Sequence, residues 1–515
     1  MTRVDHVAKN GVYNFLKYFL QLFLQFALRT VLIYKLGKEY LGLNGLFSNI
    51  LGILNLAELG IGGAISFCLY KPIAENDTKK INSLLNLYKK FYILIASFVF
   101  LAGILITPFL PYLINGNYPS EINIYVVYLV LLLNSVMSYF SAHKRTLIYS
   151  NQRNDIESKI KIGCISSLYL LQILLLIIFK NYYYYIVLLP LFTMIENIIV
   201  VIVANKMFPM IKEKPEKIDE KTKEELKKKL FAMSIHQIGG VLVLSTDNII
   251  ISSMIGLDAV GIYSNYLLII NSLISLIGII CNSIQASVGN MVVLTNKDYV
   301  MKKYDILNFG YVWLVGWSTI CMICLFQPFI ILWTNNIEYL LPISVVFTIC
   351  LSFYLKESLG ISNMFKNVAG LMWHDRFSPL IQGSINIVFS IVLCDMFGII
   401  GVFLGTIIST IAGPLLLTPI VLYKCYFNKS VFCYWKKFLK ETMLLIVIGV
   451  LTYYFTFLVN KNLNLLNFMI SCIICLVLPN VIYLILNLRN KNCLEFLSLV
   501  KSIFKKIFKM KRKEV

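Results

Sequence analysis

The sequence predicts an all-α protein that crosses a membrane about fourteen times, built as two parallel six-helix repeats followed by two further helices. Three observations predict it. Apolar segments of about 20 residues, enough to span a bilayer, recur along almost the whole chain. Their connections alternate between basic and charge-poor. The two halves also share short motifs at a fixed offset.

The apolar segments fall at 12–34, 43–70, 91–114, 124–142, 162–179, 184–204, 230–254, 259–288, 307–333, 340–363, 377–397, 398–423, 441–459 and 467–488. Forty of the 47 Lys and Arg residues then lie on one side. They include Lys71, Lys79, Lys80, Lys89 and Lys90 before the third span, nine lysines between Lys206 and Lys229, and nine basic residues from Arg489 to Lys513. The other side holds Lys35, Lys38, Lys180 and Lys461. Because cytoplasmic connections retain Lys and Arg, both termini are expected on the cytoplasmic side.

Composition supports this class. The chain is 58% hydrophobic with a mean hydropathy of +0.76, values that exclude a soluble globular protein. The net charge of +21 reads as topology signal and attraction to anionic lipid, with no nucleic-acid partner. The tail from Lys501 mixes basic and apolar residues at helical spacing and reads as a segment lying on the inner leaflet. No cleavable signal peptide is evident. Cys321–Cys324 and Cys472–Cys475 have CxxC spacing within apolar spans, where small apolar filler is the expected role and no metal or other cofactor is implied. No phosphate-binding GxxxxGK[ST] loop, HExxH or GxSxG occurs. The outer connections are too short to build an enzyme site, which points to a transporter rather than an enzyme.

The repeat follows from Leu36-Gly-Lys-Glu-Tyr-Leu-Gly-Leu43, which aligns with Ile255-Gly-Leu-Asp-Ala-Val-Gly-Ile262. Leu105-Ile-Thr-Pro-Phe-Leu110 likewise aligns with Leu325-Phe-Gln-Pro-Phe-Ile330. The offset covers six spans, an even number, so the repeats run parallel. This divides the chain into a six-helix lobe at 1–204, a basic linker at 205–229, a second lobe at 230–423, two extra spans at 424–488 and a basic tail at 489–515. Gly401, Gly405, Ser409 and Gly413 form a small-residue stripe suited to close helix packing.

Ser245-Thr-Asp-Asn through Ser264-Asn-Tyr266 resembles the seventh-to-eighth helix region of bacterial polysaccharide transporters, the O-antigen/teichoic acid repeat-unit flippases. Leu36–Leu46, with Leu59-Gly-Ile-Gly-Gly-Ala-Ile65 after it, resembles their first-to-second helix region. The resemblance implies the fold of the multidrug/oligosaccharidyl-lipid/polysaccharide exporter superfamily. It also implies movement of an undecaprenyl-diphosphate-linked oligosaccharide between leaflets for surface polysaccharide synthesis, with membrane lipid and polysaccharide polymerase machinery as further partners. Other readings are a cation-coupled multidrug exporter, a peptidoglycan-precursor flippase of the same superfamily, and a membrane glycan polymerase.

Polar groups inside spans are costly, so they nominate the site. Lys17, Gln21, Gln25 and Arg29 follow one another at four-residue steps on one broad face of the first span. Ser48, Asn55, Glu58 and Gly62 share a face of the second, where Glu58 is either the ion-pair partner of Arg29 or a proton site. His236, Gly240 and Asp247 share an arc of the seventh, and Asn271, Ser275, Gly278, Asn282 and Gln285 a side of the eighth. Lys356 and Glu357 are adjacent in the tenth, and Ser378, Gln382, Asn386 and Ser390 run along the eleventh. Lys17, Gln21, Gln25, Arg29, Asn271, Lys356, Gln382 and Asn386 are expected to bind substrate. Glu58, Asp247, His236 and Glu357 are expected to balance charge or couple an ion. Tyr263 and Tyr266 are candidates for stacking on sugar rings.

Overall fold

The computed structural model describes residues 3–58, 61–116, 118–209 and 245–511, and every regular element among them is helical. The helices are α1 Arg3–Lys35, α2 Lys38–Leu54, α3 Ile61–Glu75, α4 Thr78–Ile106, α5 Ile124–Ser138, α6 Ala142–Ser150, α7 Asn154–Phe179, α8 Tyr182–Met207 and α9 at 245–254. They continue with α10 Leu257–Leu294, α11 Lys297–Thr334, α12 Ile343–Glu357, α13 Gly360–Val368, α14 Ser378–Phe397, α15 Ile399–Thr410, α16 Leu416–Val421, α17 Phe432–Val459, α18 Leu465–Asn487 and α19 Lys491–Lys511. Among the described residues, 12 helical segments are long and apolar enough to cross a membrane, or 13 if the bent pair α5–α6 is one span. The protein is a multi-pass membrane protein. The span expected at 230–254 and the linker at 205–229 fall largely outside the described residues, as does His236.

Local chemistry sets most helix ends. Asp77, Asn123, Asn181, Asn296 and Asn464 each accept a hydrogen bond from a backbone N–H of the helix they precede, satisfying donors that have no partner within the helix. Lys180 and Asn335 close α7 and α11 in the left-handed conformation. The turn expected at 397/398 is made by Gly398 at φ 62°, where a side chain would be strained.

Several spans depart from the sequence reading. The second, expected unbroken over 43–70, begins at Lys38 and changes into a 3₁₀ turn at Asn55–Glu58 before α3 starts at Ile61. Gly62 and Gly63 follow in the first turn of α3, and glycine costs about 1 kcal/mol per helical position relative to alanine. The third, expected at 91–114, starts 13 residues earlier at Thr78, so Lys79, Lys80, Lys89 and Lys90 ride on the helix itself. At 1.5 Å per residue, the 38 residues of α11 make roughly 57 Å, well beyond an apolar layer of about 30 Å. The basic side of the protein is therefore built partly of helix ends that outrun the membrane.

The chain forms two compact units, Met1–Ser264 and Asn265–Val515. In the first, α7 packs against α1 and α8, α8 against α5, and α3 against α4 and α6. Its core runs from Leu43 and Phe47 through Tyr88, Val99 and Tyr128 to Ile186. The N-terminal ends of α2 and α10 meet within this unit at the two motif glycines that the sequence aligns. A Cβ on Gly42 would lie 2.9 Å from the carbonyl carbon of Leu257, and one on Gly261 would lie 2.9 Å from that of Lys38. Each glycine thus faces the residue four positions before the other, as a local twofold relation would place them. Lys38 and Asp258 pair across the same contact at 3.1 Å.

The second repeated motif takes two conformations. Thr107–Leu113 forms a 3₁₀ helix, whereas its counterpart around Pro328 continues the α-helix α11. Pro108 and Pro111, three residues apart, remove two backbone donors from one turn, while Pro328 removes one.

In the second unit α11 is central and packs against α12, α17, α18 and α19. The α14–α15 hairpin is held against α12. Lipid-facing apolar residues are dense on α17 and α18, including Met443, Val447, Val450, Ile473 and Leu476.

Candidate functional site

The first unit contains a cavity of about 490 Å³ walled by α1, α2, α5, α7 and α8. Gln25 and Arg29 enter from α1, Asn44 and Ser48 from α2, and Asn55 from the turn below it. Asn134, Ser135 and Ser138 come from α5, with Tyr169 and Gln172 from α7 and Tyr185 from α8. The polar part of the wall is therefore one guanidinium among amides and hydroxyls, and six leucines complete the lining. Arg29 hydrogen-bonds to Ser264.

Most of the wall is fixed by hydrogen bonds. Tyr182 donates to Asn44 at 2.8 Å, and Thr193 donates to Asn134 at 2.6 Å. Ser135 and Tyr139 both donate to Asn55, at 2.9 and 2.7 Å. Gln172 is fully buried and donates to the Tyr185 carbonyl at 2.9 Å, yet its own Oε1 has no hydrogen-bond partner. An unpaired buried acceptor costs about 1–3 kcal/mol, and such atoms concentrate where a ligand or water completes the site.

Beside the cavity, one turn past Asn55, Glu58 accepts a hydrogen bond from Tyr92. The Tyr92 ring packs edge-on against Tyr88 at 4.5 Å, and Thr146 donates to the Tyr88 oxygen at 3.3 Å. The structure thus gives Glu58 a tyrosine hydroxyl as hydrogen-bond partner.

The other candidates scatter. Lys17 lies near a different ionic cluster, that of Arg145, Glu157, Lys161 and Glu196, and donates to Asn14 at 3.4 Å. Gln21 is half-buried, a turn away from the cavity wall. Asp247 is half-buried in α9, within electrostatic reach of Tyr263. In the second unit, Asn271, Ser275, Asn282 and Gln285 are exposed along α10, a polar stripe on a membrane-spanning helix. Lys356 and Glu357 are half-buried at the end of α12, Glu357 near Tyr311 and Cys281. Tyr263 and Tyr266 are both buried, and the Tyr266 oxygen accepts the Leu341 N–H at 3.1 Å.

Gln382 and Asn386 lie in the contact between α14 and α15, where their side chains hydrogen-bond to the facing helix. Gln382 donates to Thr410 at 3.3 Å, Asn386 to Thr406 at 2.9 Å, and Ser390 to the Val402 carbonyl at 3.0 Å. The small-residue stripe on the next helix explains this. A Cβ on Gly405 would lie 2.7 Å from the Ser390 Cα, and one on Gly413 would lie 3.1 Å from the Gln382 Cβ. The two stripes are the two faces of one contact.

Sequence reasoning missed Asn44, Asn134, Ser135, Ser138, Tyr169, Gln172 and Tyr185. A signal was available in the fourth and fifth spans, where Asn134-Ser135-x-x-Ser138 and the lone Gln172 interrupt otherwise apolar runs.

Fold and cavity together define a polytopic, all-α membrane protein. No family model and no curated protein matches the chain. Among solved structures it is similar to a lipid II flippase, MurJ, in an inward closed conformation. That match has a TM-score of 0.65 and 15% identity, over 93% of this chain and 98% of that one. It is also similar to an inward-facing multidrug resistance MATE family transporter of the MOP superfamily, with a TM-score of 0.59, 14% identity, and coverage of 78% and 93%. The Vibrio cholerae MATE transporter VcmN gives a TM-score of 0.59 at 11% identity, over 83% and 99%. At these identities the likeness is one of fold: the chain has the fold of MOP-superfamily transporters.

Proposed function

We propose that this protein is a flippase that moves undecaprenyl-diphosphate-linked oligosaccharide from the inner to the outer leaflet by alternating access. The observation that carries this reading is the cavity in the first unit, with its single guanidinium, its ring of amides and hydroxyls and the orphaned carbonyl of Gln172. Arg29 attracts the diphosphate. A pair of opposite unit charges 4 Å apart is worth about 4 kcal/mol at an effective dielectric of 20. Amides and hydroxyls suit sugar hydroxyls, which both donate and accept. The exposed polar stripe on α10 supports a water-lined path, since polar side chains on a spanning helix need water or a partner. In this reading the lobes at 1–204 and 230–423 rock about the site. Glu58, Asp247 and Glu357 balance charge or couple an ion, Lys356 assists with phosphate, and both termini are cytoplasmic.

A peptidoglycan-precursor flippase is the second reading, favoured by the 98% coverage of the lipid II flippase. The test is a strain lacking the chain, complemented with the parent, Arg29→Ala or Arg29→Lys, with lipid-linked intermediates assayed in each leaflet. The proposal expects complete repeat units to accumulate inside with Arg29→Ala at normal protein level, and partial recovery with Arg29→Lys. Accumulation of peptidoglycan precursor would move the assignment to the second reading. Loss of dye efflux with normal surface glycan would overturn both.

A further inference from the structure

A second cavity, of about 540 Å³, lies in the second unit, where the basic ends of α11, α17 and α18 meet the start of α19. Six charged side chains line it: Asp305, Glu441, Lys437, Lys440, Arg489 and Lys491. Both acids have partners. Lys437 pairs with Asp305 at 2.7 Å, and Tyr483 donates to Glu441 at 2.7 Å. Arg489 and Lys491 are exposed and have no acidic partner among the described residues, and exposed Lys440 lies within electrostatic reach of Glu441, so four cations face two carboxylates and the cavity carries a surplus of positive charge.

Two polar atoms in the wall are also unpaired. Tyr423, at 0% exposure, has no hydrogen-bond partner for its hydroxyl, and Asn308 has none for its Oδ1. The first turn of α19 completes the wall with Asn490, Lys491 and Asn492. Asn490 already accepts the Asn492 N–H at 3.1 Å, and the positive end of the helix dipole still favours an anion there. Within one cavity, then, stand two more cations than carboxylates, a buried hydroxyl with nothing to donate to, and a helix N-terminus. The orphaned Asn308 oxygen adds an acceptor beside them.

We propose that this cavity binds a phosphodiester anion whose other arm carries a hydroxyl, the chemistry of an anionic phosphoglycerol lipid headgroup. Lys440, Arg489, Lys491 and the Tyr423 hydroxyl hold the phosphate, and Asn308 accepts from the headgroup hydroxyl. The position suits a lipid, because the lysine-rich ends of spanning helices lie at headgroup level and α19 continues as a basic amphipathic segment. The site uses none of the residues of the first cavity and stands independently of the transport reading.

The experiment uses the full-length protein in detergent, with binding of phosphatidylglycerol, phosphatidylcholine and inorganic phosphate each measured by native mass spectrometry and by thermal shift. The parent is expected to retain phosphatidylglycerol at least tenfold more tightly than phosphatidylcholine. Arg489→Gln with Lys491→Gln should abolish that preference. Tyr423→Phe, which removes no internal hydrogen bond, should weaken it severalfold without lowering the melting temperature of the lipid-free protein. Displacement of the lipid by millimolar inorganic phosphate would support the phosphate site and make the soluble ion its ligand. Equal retention of the two lipids by the parent, or an unchanged preference in the double variant and in Tyr423→Phe, would overturn the proposal.

Discussion

Replacing Gly261 with alanine tests the glycine contact between α2 and α10 against a control that the protein supplies. The new Cβ would lie 2.9 Å from the Lys38 carbonyl carbon and 3.2 Å from the Gly42 nitrogen. Both are backbone atoms, so relief requires the helix ends to separate. Overpacking of this kind costs about 1–3 kcal/mol. Against it stands the gain from replacing glycine in a helix, about 1 kcal/mol. Gly163, in α7, is exposed and has nothing within 4 Å of its own virtual Cβ. Gly163→Ala therefore carries the gain without the clash. The propensity terms cancel in the difference, leaving about 1–3 kcal/mol between the variants. One kcal/mol moves the midpoint of a domain of 150–250 residues by about 2–4 °C. Melting of the two purified variants in one detergent, followed by size-exclusion chromatography after heating, should place Gly261→Ala several degrees below Gly163→Ala. Gly42→Ala should behave like Gly261→Ala, because the contact is reciprocal. If Gly261→Ala melts at or above Gly163→Ala, the helix ends are not in backbone contact and the packing argument fails.

Lys366 and Asp375 form a buried pair at 7% and 6% exposure, so Lys366→Met should cost about 3–5 kcal/mol by stranding the carboxylate, and Lys366→Met with Asp375→Leu should recover most of it. Melting temperatures of the two variants decide this. Asn386→Leu should lower stability, and lower export only in proportion to protein level, because its amide serves the α14–α15 contact. Export per molecule, measured at matched expression, checks it. Cys433 is exposed beside the basic connection before α17, so as the sole cysteine it should react with a membrane-impermeant maleimide in inside-out vesicles and not in intact cells. Labelling in intact cells would invert the orientation.

The structure also shows why some candidates converge and others do not. Arg29 and Gln25 share a cavity because both sit on the stretch of α1 that faces α2, α5, α7 and α8, whereas Lys17, three turns away from Arg29, reaches the ionic cluster of Arg145, Glu157 and Glu196 instead. Four-residue steps preserve a face but not a depth. A stripe 12 residues long covers roughly 18 Å of helix and can serve two environments.

The sequence by itself determined what one dimension can carry. Long apolar runs require helices, because a backbone in hydrocarbon must satisfy its own hydrogen bonds. Asn and Asp at the starts of helices, glycine at 398, and the glycines after Glu58 mark ends and breaks through local conformational preference. The aligned glycines Gly42 and Gly261 carry the repeat, and the structure joins them. What only the tertiary structure decided is which way each helix faces. A lipid-facing span is apolar on nearly all sides, so its sequence leaves the rotation about its axis weakly specified, and a polar stripe reads alike whether it meets a ligand or a neighbouring helix. Gln382 and Asn386 form a polar stripe in the sequence, and only the structure shows Gly405 and Gly413 packed against that stripe. Gln172 interrupts an apolar run in the sequence, and only packing shows it buried with its side-chain carbonyl unpaired in the wall that Arg29 also lines.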